Sequence, residues 1–303
     1  MRNHFMKNIT FVLVILLTLS GLLPAQKELT VDKTFENIKT LRIKLVLGDC
    51  LLKKSADSRV RIQLVYSRDD ESFEPRFSES GSRLTLEEKF YGHDGGGYYH
   101  WTVEVPAAVK VDLESATGGI SIDGAELEID GNTGTGRIEI SNAIGEFDLN
   151  TGTGNISAKN SNGEFDLNSG TGRVLVEDCR GNFDVNSGTG KVKGVNLIIE
   201  SEAEFNSGTG SAEMTAPSGK DFDLQLNSGT GDAVLDMQGN ALEGYFEFQA
   251  HSRKGEIISP EKFDKEEEYG ENGDTYLRKS FTRGKETPRY FISTGTGEAE
   301  LKK

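Results

Sequence analysis

The sequence predicts an all-β fold, a solenoid of stacked repeats, and three observations predict it. The marker Asn-Ser/Thr-Gly-Thr-Gly recurs with its second glycine at Gly136, Gly154, Gly172, Gly190, Gly210 and Gly231, at intervals of 18, 18, 18, 20 and 21 residues. Between markers, apolar and polar residues alternate in two short stretches, as in Arg137-Ile138-Glu139-Ile140 and Glu146-Phe147-Asp148-Leu149. That is the two-residue period of strands, and the region has no helical spacing. Finally, the period itself is short and fixed: a unit of about 18 residues cannot bury its own apolar face, so its neighbours must stack on it.

The chain starts with a basic segment, Met1-Arg2-Asn3-His4-Phe5-Met6-Lys7, an apolar run from Phe11 to Leu17, and Leu22-Leu23-Pro24-Ala25 before Gln26. This pattern predicts a signal peptide over residues 1–25, cut after Ala25. No Cys lies near the cut to take a lipid, and no later segment is apolar enough for a membrane anchor. An exported protein is expected, in the periplasm, on the cell surface or released. Removing Arg2 and Lys7, with no acid, takes the formal charge from −15 to −17. Such a balance argues against nucleic acid and anionic membrane surfaces, and suits either plain solubility or a basic partner. Cys50 and Cys179 fall at different places in the pattern, which favours two buried free thiols over a bridge.

Residues 26–115 are expected to form an irregular β cap and the first coils, with strands at Leu41 to Leu47, Val60 to Tyr66, Arg83 to Lys89 and Trp101 to Val105. Gly48-Asp49-Cys50-Leu51 is similar to one corner of the repeat. A cap of this kind shields the open end of a stack.

The repeat array is expected over 116–303. Ala116-Thr117-Gly118-Gly119 is a degenerate copy of the marker, Thr294-Gly295-Thr296-Gly297 a clean one, and Ser252-Arg253-Lys254-Gly255 a weaker one. After each marker the inward positions are Ile138/Ile140, Ile156/Ala158, Val174/Val176, Val192/Gly194, Ala212/Met214 and Ala233/Leu235. Before the next marker they are Ile129, Phe147/Leu149, Phe165/Leu167, Phe183/Val185, Ala203/Phe205 and Leu224/Leu226. The marker reads as a structural corner at Gly136, Gly154, Gly172, Gly190, Gly210, Gly231 and Gly297, since glycine accepts the backbone a tight corner needs. The asparagines, such as Asn150 and Asn168, suit hydrogen bonds between neighbouring coils. Gly188-Thr189-Gly190-Lys191 is no phosphate loop, because Val185 and Val192 occupy the positions that need Gly and Ser/Thr. An insertion near 261–290 interrupts the array; its charged stretch Glu261 to Tyr276 is expected to leave the stack as a protruding hairpin or loop.

The outward positions of the second strand align into two columns. One reads Glu128, Glu146, Glu164, Asn182, Glu202, Asp223, and the other Asp130, Asp148, Asp166, Asp184, Glu204, Gln225. Ten of the twelve are acidic, whereas the other strand presents Arg137, Asn155, Arg173 and Lys191 beside Glu139, Ser157, Leu175 and Lys193. Carboxylates roughly 5 Å apart repel by about 0.8 kcal/mol per pair even in water. Solubility and control of aggregation explain such a face, and recruitment of Ca²⁺ or a cationic ligand is the functional alternative. His93, Asp94 and His100 are a weaker metal candidate, set against an incidental polar hairpin tip. Carboxylates repeated in register across a flat face do not make a general acid and base, so no enzyme and no cofactor is expected.

The cluster Trp101-Thr102-Val103-Glu104-Val105-Pro106, then Val109-Lys110-Val111-Asp112-Leu113, then the Ser/Thr-Gly-Thr-Gly units resembles the bacterial β-strand-repeat "putative adhesin" family, a domain of unknown function. The resemblance implies a right-handed parallel β-helix-like solenoid, a cell-envelope location and no catalytic residues. The sequence departs from it in carrying Arg137, Asn155, Arg173 and Lys191 where many relatives place Asp. The reading that follows is a non-catalytic envelope binding or scaffold module, adhesive in one version, whose partner is a protein, a glycan or a cationic ligand. An envelope-stress sensor or regulatory module is the alternative, and a polysaccharide-active enzyme ranks below both.

Overall fold

The computed structural model describes residues 28–67, 72–91, 97–271 and 273–303. The expected signal peptide, with its cut after Ala25, lies outside the described residues, as do His93 and Asp94.

The fold is all-β. Twenty-seven strands and no helix make up the described residues, joined by hydrogen bonds into one large mixed sheet. Its centre consists of two parallel ladders. In the long-strand ladder, Glu126–Thr135, Ile144–Thr153, Asn162–Thr171, Arg180–Thr189, Ile198–Thr209 and Asp223–Thr230 pair in sequence order. The short-strand ladder pairs Ile120–Asp123, Ile138–Ser141, Ile156–Lys159, Val174–Glu177, Val192–Val195, Ala212–Thr215 and Ala233–Asp236 in the same way.

Because pairing joins equivalent residues of successive repeats, like stacks on like in the core. Phe147, Phe165 and Phe183 are buried and lie ring on ring at 5.1 and 5.2 Å. Where the next member of that column shrinks to Ala203, the adjacent column swells from Val185 to Phe205, so core volume is kept. The same logic fixes Gly194, where a Cβ would lie 2.6 Å from Met214 Cε.

The marker contributes to the strand more than a corner would. Ladder pairing runs through its Asn, Ser/Thr and second Thr, and the chain bends only at the second glycine, with φ of 128° at Gly231 and 137° at Gly297. The buried Ser/Thr of the marker, which sequence reasoning left without a role, donates to a glycine carbonyl of the preceding repeat: Thr151 to Gly136 at 3.0 Å, Ser169 to Gly154 and Ser187 to Gly172 at 2.8 Å. A second corner went unseen. Asn142, Asn160, Asp178, Asn196 and Ala216 hold φ near 50° between the short strand and the next long one.

Both ends depart from a purely parallel array. At the start, Leu29–Phe35 pairs antiparallel with Val60–Tyr66, which pairs antiparallel with Tyr99–Val105, and Phe73–Ser80 forms a hairpin with Arg83–Phe90. There the buried Glu88 carboxylate accepts Trp101 Nε1 at 2.7 Å and the amides of Val46, Leu47 and Gly48 at 2.7, 2.9 and 3.2 Å. Gly48 joins the glycine column, since a Cβ on Gly118 would meet its carbonyl at 2.1 Å. At the far end the segment near 261–290 does not leave the stack. Lys265–Glu271 pairs with Asp274–Arg283, which pairs antiparallel along the whole of Gly244–His251.

Strand order also changes there. The last strand, Arg289–Lys302, returns to pair with Asp223–Thr230 and Ala233–Asp236, and Gly244–His251 lies beyond it. The glycines explain this order. A Cβ at Gly295 would sit 2.5 Å from the Gly229 carbonyl, so only a clean marker fits on the preceding one, and the weak copy with His251 at the nearby position does not. Cys50 and Cys179 are buried and free, and burial pushes the Cys179 thiol up to about 11.

Candidate binding face

The acidic residues ride on the long-strand ladder, opposite its buried side. Period-two alternation sends Phe147 and Leu149 inward, so Glu146 and Asp148 face solvent, and pairing repeats this in each strand. Glu128, Glu146 and Glu164 form one register column, and Asp130, Asp148, Asp166, Asp184 and Glu204 the other. Nine of the ten candidates are exposed and Glu204 is half-buried.

Asn182 interrupts the first column for a reason. The ladder bulges between Gly181 and Phe183, and the amides of Ser201 and Glu202 there need an acceptor. Asn182 Oδ1 accepts both, at 2.9 and 3.1 Å, while its amide donates to Glu164 at 3.0 Å. A carboxylate could not do the last.

Eight of the candidates, Glu146, Asp148, Glu164, Asp166, Asp184, Glu202, Glu204 and Asp223, line one shallow trough of about 530 Å³. Glu128 and Asp130 continue its columns toward the start of the chain. Cations enter at that edge: Lys110 pairs with Glu128 at 2.7 Å, and Arg42 reaches Asp112 and Glu114 at 3.4 and 3.0 Å. The eight trough carboxylates form no ion pair among the described residues.

Four of them are held instead by the marker asparagines. Asn150 donates to Asp148 at 2.9 Å, Asn168 to Asp166 at 2.5 Å, Asn186 to Asp184 at 2.6 Å and Asn206 to Glu204 at 2.9 Å. The same amides link repeats, Asn186 to Asn168 at 2.9 Å and Asn206 to Asn186 at 2.8 Å. Desolvation pushes Asp166 above the ordinary carboxylate range; the Asn168 hydrogen bond opposes this, and the charges of Asp148 and Asp184 reinforce it.

The short-strand face is different. Four of its cations are paired: Arg137 with Glu139 at 3.2 Å, Lys159 with Glu177 at 2.6 Å, and both Lys191 and Lys193 with Glu213. Burial pushes Glu213 up, but Lys191 and Lys193 hold it below its usual value on balance. Asn155 Oδ1 accepts the Arg173 amide at 2.8 Å, and Asp232 does the same for Glu298 at 3.0 Å.

His100, the described member of the metal candidate, stacks on Tyr98 and has Nδ1 3.7 Å from Asp49 Oδ2. Asp49 Oδ1 is already used by the Gly119 amide at 2.7 Å. Among the described residues no group of three or more His, Cys, Asp or Glu is arranged to hold a metal ion. The marker glycines Gly136, Gly154, Gly172, Gly190, Gly210, Gly231 and Gly297 pack against backbone carbonyls of the neighbouring repeat, which leaves no room for a ligand at Gly154 or Gly190. Sequence reasoning missed the aromatic residues Tyr245 and Phe291, which lie half-buried on the outward side of the same ladder beyond the trough. Their outward register was the available signal, hidden because strand order changes there.

No protein-family model and no curated protein matches the chain. Four solved structures do. One is described as a "putative cell adhesion protein" from Clostridium sporogenes, 12% identical with a TM-score of 0.33, over 91% of this chain and 99% of that one. Another is a "putative adhesin" from Bacteroides fragilis, 13% identical with a TM-score of 0.39, over 92% and 98%. A third is a "putative lipid binding protein" from Parabacteroides distasonis, 11% identical with a TM-score of 0.39, over 89% and 96%. Likenesses at this level bear on neither ligand nor activity. Among the described residues no helix is long and apolar enough to cross a membrane.

Proposed function

We propose that this chain is an exported, non-catalytic binding module of the cell envelope, and that the acidic trough is its contact surface for a cationic partner. In this reading residues 1–25 are removed, 26–115 cap a right-handed coil of repeats, and 116–303 build the coil itself, with the segment near 261–290 added to its far end. One observation carries the proposal. Eight carboxylates stand side by side without cations, four of them braced by marker asparagines, while Glu128 at the trough's edge and Glu139, Glu177 and Glu213 on the opposite face are paired.

Stacking sets the mechanism. Carboxylates one strand apart recur at about 4.8 Å, so an extended partner with several Lys or Arg side chains meets several at once. Each exposed contact adds roughly 0.2 to 1 kcal/mol. Affinity then grows with the number of contacts, and asparagine bracing lowers the ordering cost. An acid–base enzyme separates its carboxylates by environment, whereas these repeat one environment along the face.

Calorimetric titration with octalysine tests the reading. Binding is expected at about 50 mM salt and is expected to fade toward about 500 mM as screening shortens. No heat at low salt, or binding indifferent to salt, removes the trough as the contact surface.

A further inference from the structure

Beyond the trough, we propose a second site on the same ladder: a platform for a neutral sugar, centred on Phe291. The proposal does not depend on the cationic partner. Three adjacent strands place Gln225, Phe291 and Glu247 side by side, with Asn227, Ser293 and Gln249 two residues further on. Neighbouring strands are about 4.8 Å apart and alternate residues along one strand about 6.7 Å. The ring therefore has hydrogen-bonding side chains on either side of it and along its own strand, within reach of the rim of a ring lying over it.

The site is a groove of about 390 Å³ lined by these residues. Phe291 is half-buried in its floor, and Tyr245 meets it edge-on at 6.3 Å. The Tyr245 hydroxyl donates to Glu247 at 2.6 Å, which fixes that wall. An aromatic face set in an otherwise polar strand surface offers the flat apolar contact that the C–H face of a pyranose takes.

The polar groups are also free to serve. The asparagine chain that starts at Asn168 ends here: Asn227 donates back to Asn206 at 2.8 Å, and its own Oδ1 receives no donor among the described residues. The amides of Gln225 and Gln249 have no protein partner among the described residues. Each primary amide both donates and accepts, as does a sugar hydroxyl. Charge separates this groove from the trough. Glu247, the one carboxylate that lines the groove, faces Arg278 at 3.4 Å, so it is paired where the trough acids are not. A neutral ligand fits the first and a cation the second.

Saturation-transfer NMR with cellotriose, maltotriose and triacetylchitotriose, each at about 1 mM, a range suited to weak affinities, tests the site. At least one trisaccharide is expected to receive saturation on its ring protons. Phe291→Ala is expected to abolish the signal, and Gln249→Ala, a change at a half-buried polar position, to weaken binding about threefold or more. The double change Asp148→Asn and Asp166→Asn in the trough is expected to leave it intact. The proposal is overturned by no transfer to any of the three sugars, or by transfer that both Phe291→Ala and Gln249→Ala leave unchanged. Octalysine binding that is lost with Phe291→Ala would also overturn it, since the groove would then serve a cation.

Discussion

Asn160 holds φ at 49°, in the left-handed region where a side chain with a Cβ is strained and a short polar one is tolerated. The residue sits at the turn between Ile156–Lys159 and the long strand that follows. Asn160→Ala is expected to cost about 1 to 2 kcal/mol by denaturant melting, and Asn160→Gly to be close to neutral. Equal losses from the two would mean that a side-chain contact, not the backbone, holds the corner. The signal was legible, for Asn142, Asn160, Asp178 and Asn196 recur every 18 residues. It was overlooked because the glycine marker claims the corner by itself. Asp166 gives a second test at this scale. Its pKa is raised in the fold by desolvation and by Asp148 and Asp184, so ionised Asp166 disfavours folding. The penalty is full above its folded pKa and disappears below its unfolded one, near 4 for an ordinary Asp. Asp166→Asn is therefore expected to raise the melting midpoint at pH 7, with the gain shrinking as pH falls toward about 4. A midpoint lowered at pH 7 contradicts the account.

At the scale of strands, stacking of equivalent residues carries the core. Phe165 lies between Phe147 and Phe183 and is 2% exposed. Phe165→Ala is expected to cost about 3 to 5 kcal/mol, because rings above and below prevent collapse into the gap. A cost under about 1 kcal/mol would show that the column is loosely packed. The inward columns were readable residue by residue, since alternation and an 18-residue period leave no other register for Ile138, Phe147 or Leu167. The ends were not. Period and marker both weaken after Leu235, and the rule that puts Gly295 on Gly229 is a matter of a carbonyl 2.5 Å away. The antiparallel pairing of Leu29–Phe35 with Val60–Tyr66 has no repeat to announce it either.

For the whole molecule, strand pairing turns partly antiparallel at both ends, and the faces differ in charge. Phe35 stacks on Phe77 at 6.1 Å at the start, and Phe263 lies against Phe248 and Phe281 at the finish. The outermost strands carry Pro75 and the run Lys265 to Glu268, features that discourage edge-to-edge pairing. The acidic columns were visible in sequence, and so was the mixed character of the other face. That the trough acids lack cations while Glu128 has Lys110 was not, because Lys110 reaches Glu128 only through the parallel pairing of Lys110–Ser115 with Glu126–Thr135. The Phe291 groove was hidden by the same change of strand order that moved Arg289–Lys302 next to Asp223–Thr230.

In the proposed reading the position of these charges, and not the net charge of the chain, makes the binding surface. Octalysine affinity of two triple variants separates the two. Asp148→Asn, Asp166→Asn and Asp184→Asn remove three charges from the trough, and Glu36→Gln, Glu79→Gln and Glu286→Gln remove three exposed ones elsewhere. A loss of about tenfold or more, roughly 1.4 kcal/mol, is expected for the first and a change within about twofold for the second. Equal losses in the two variants would contradict it.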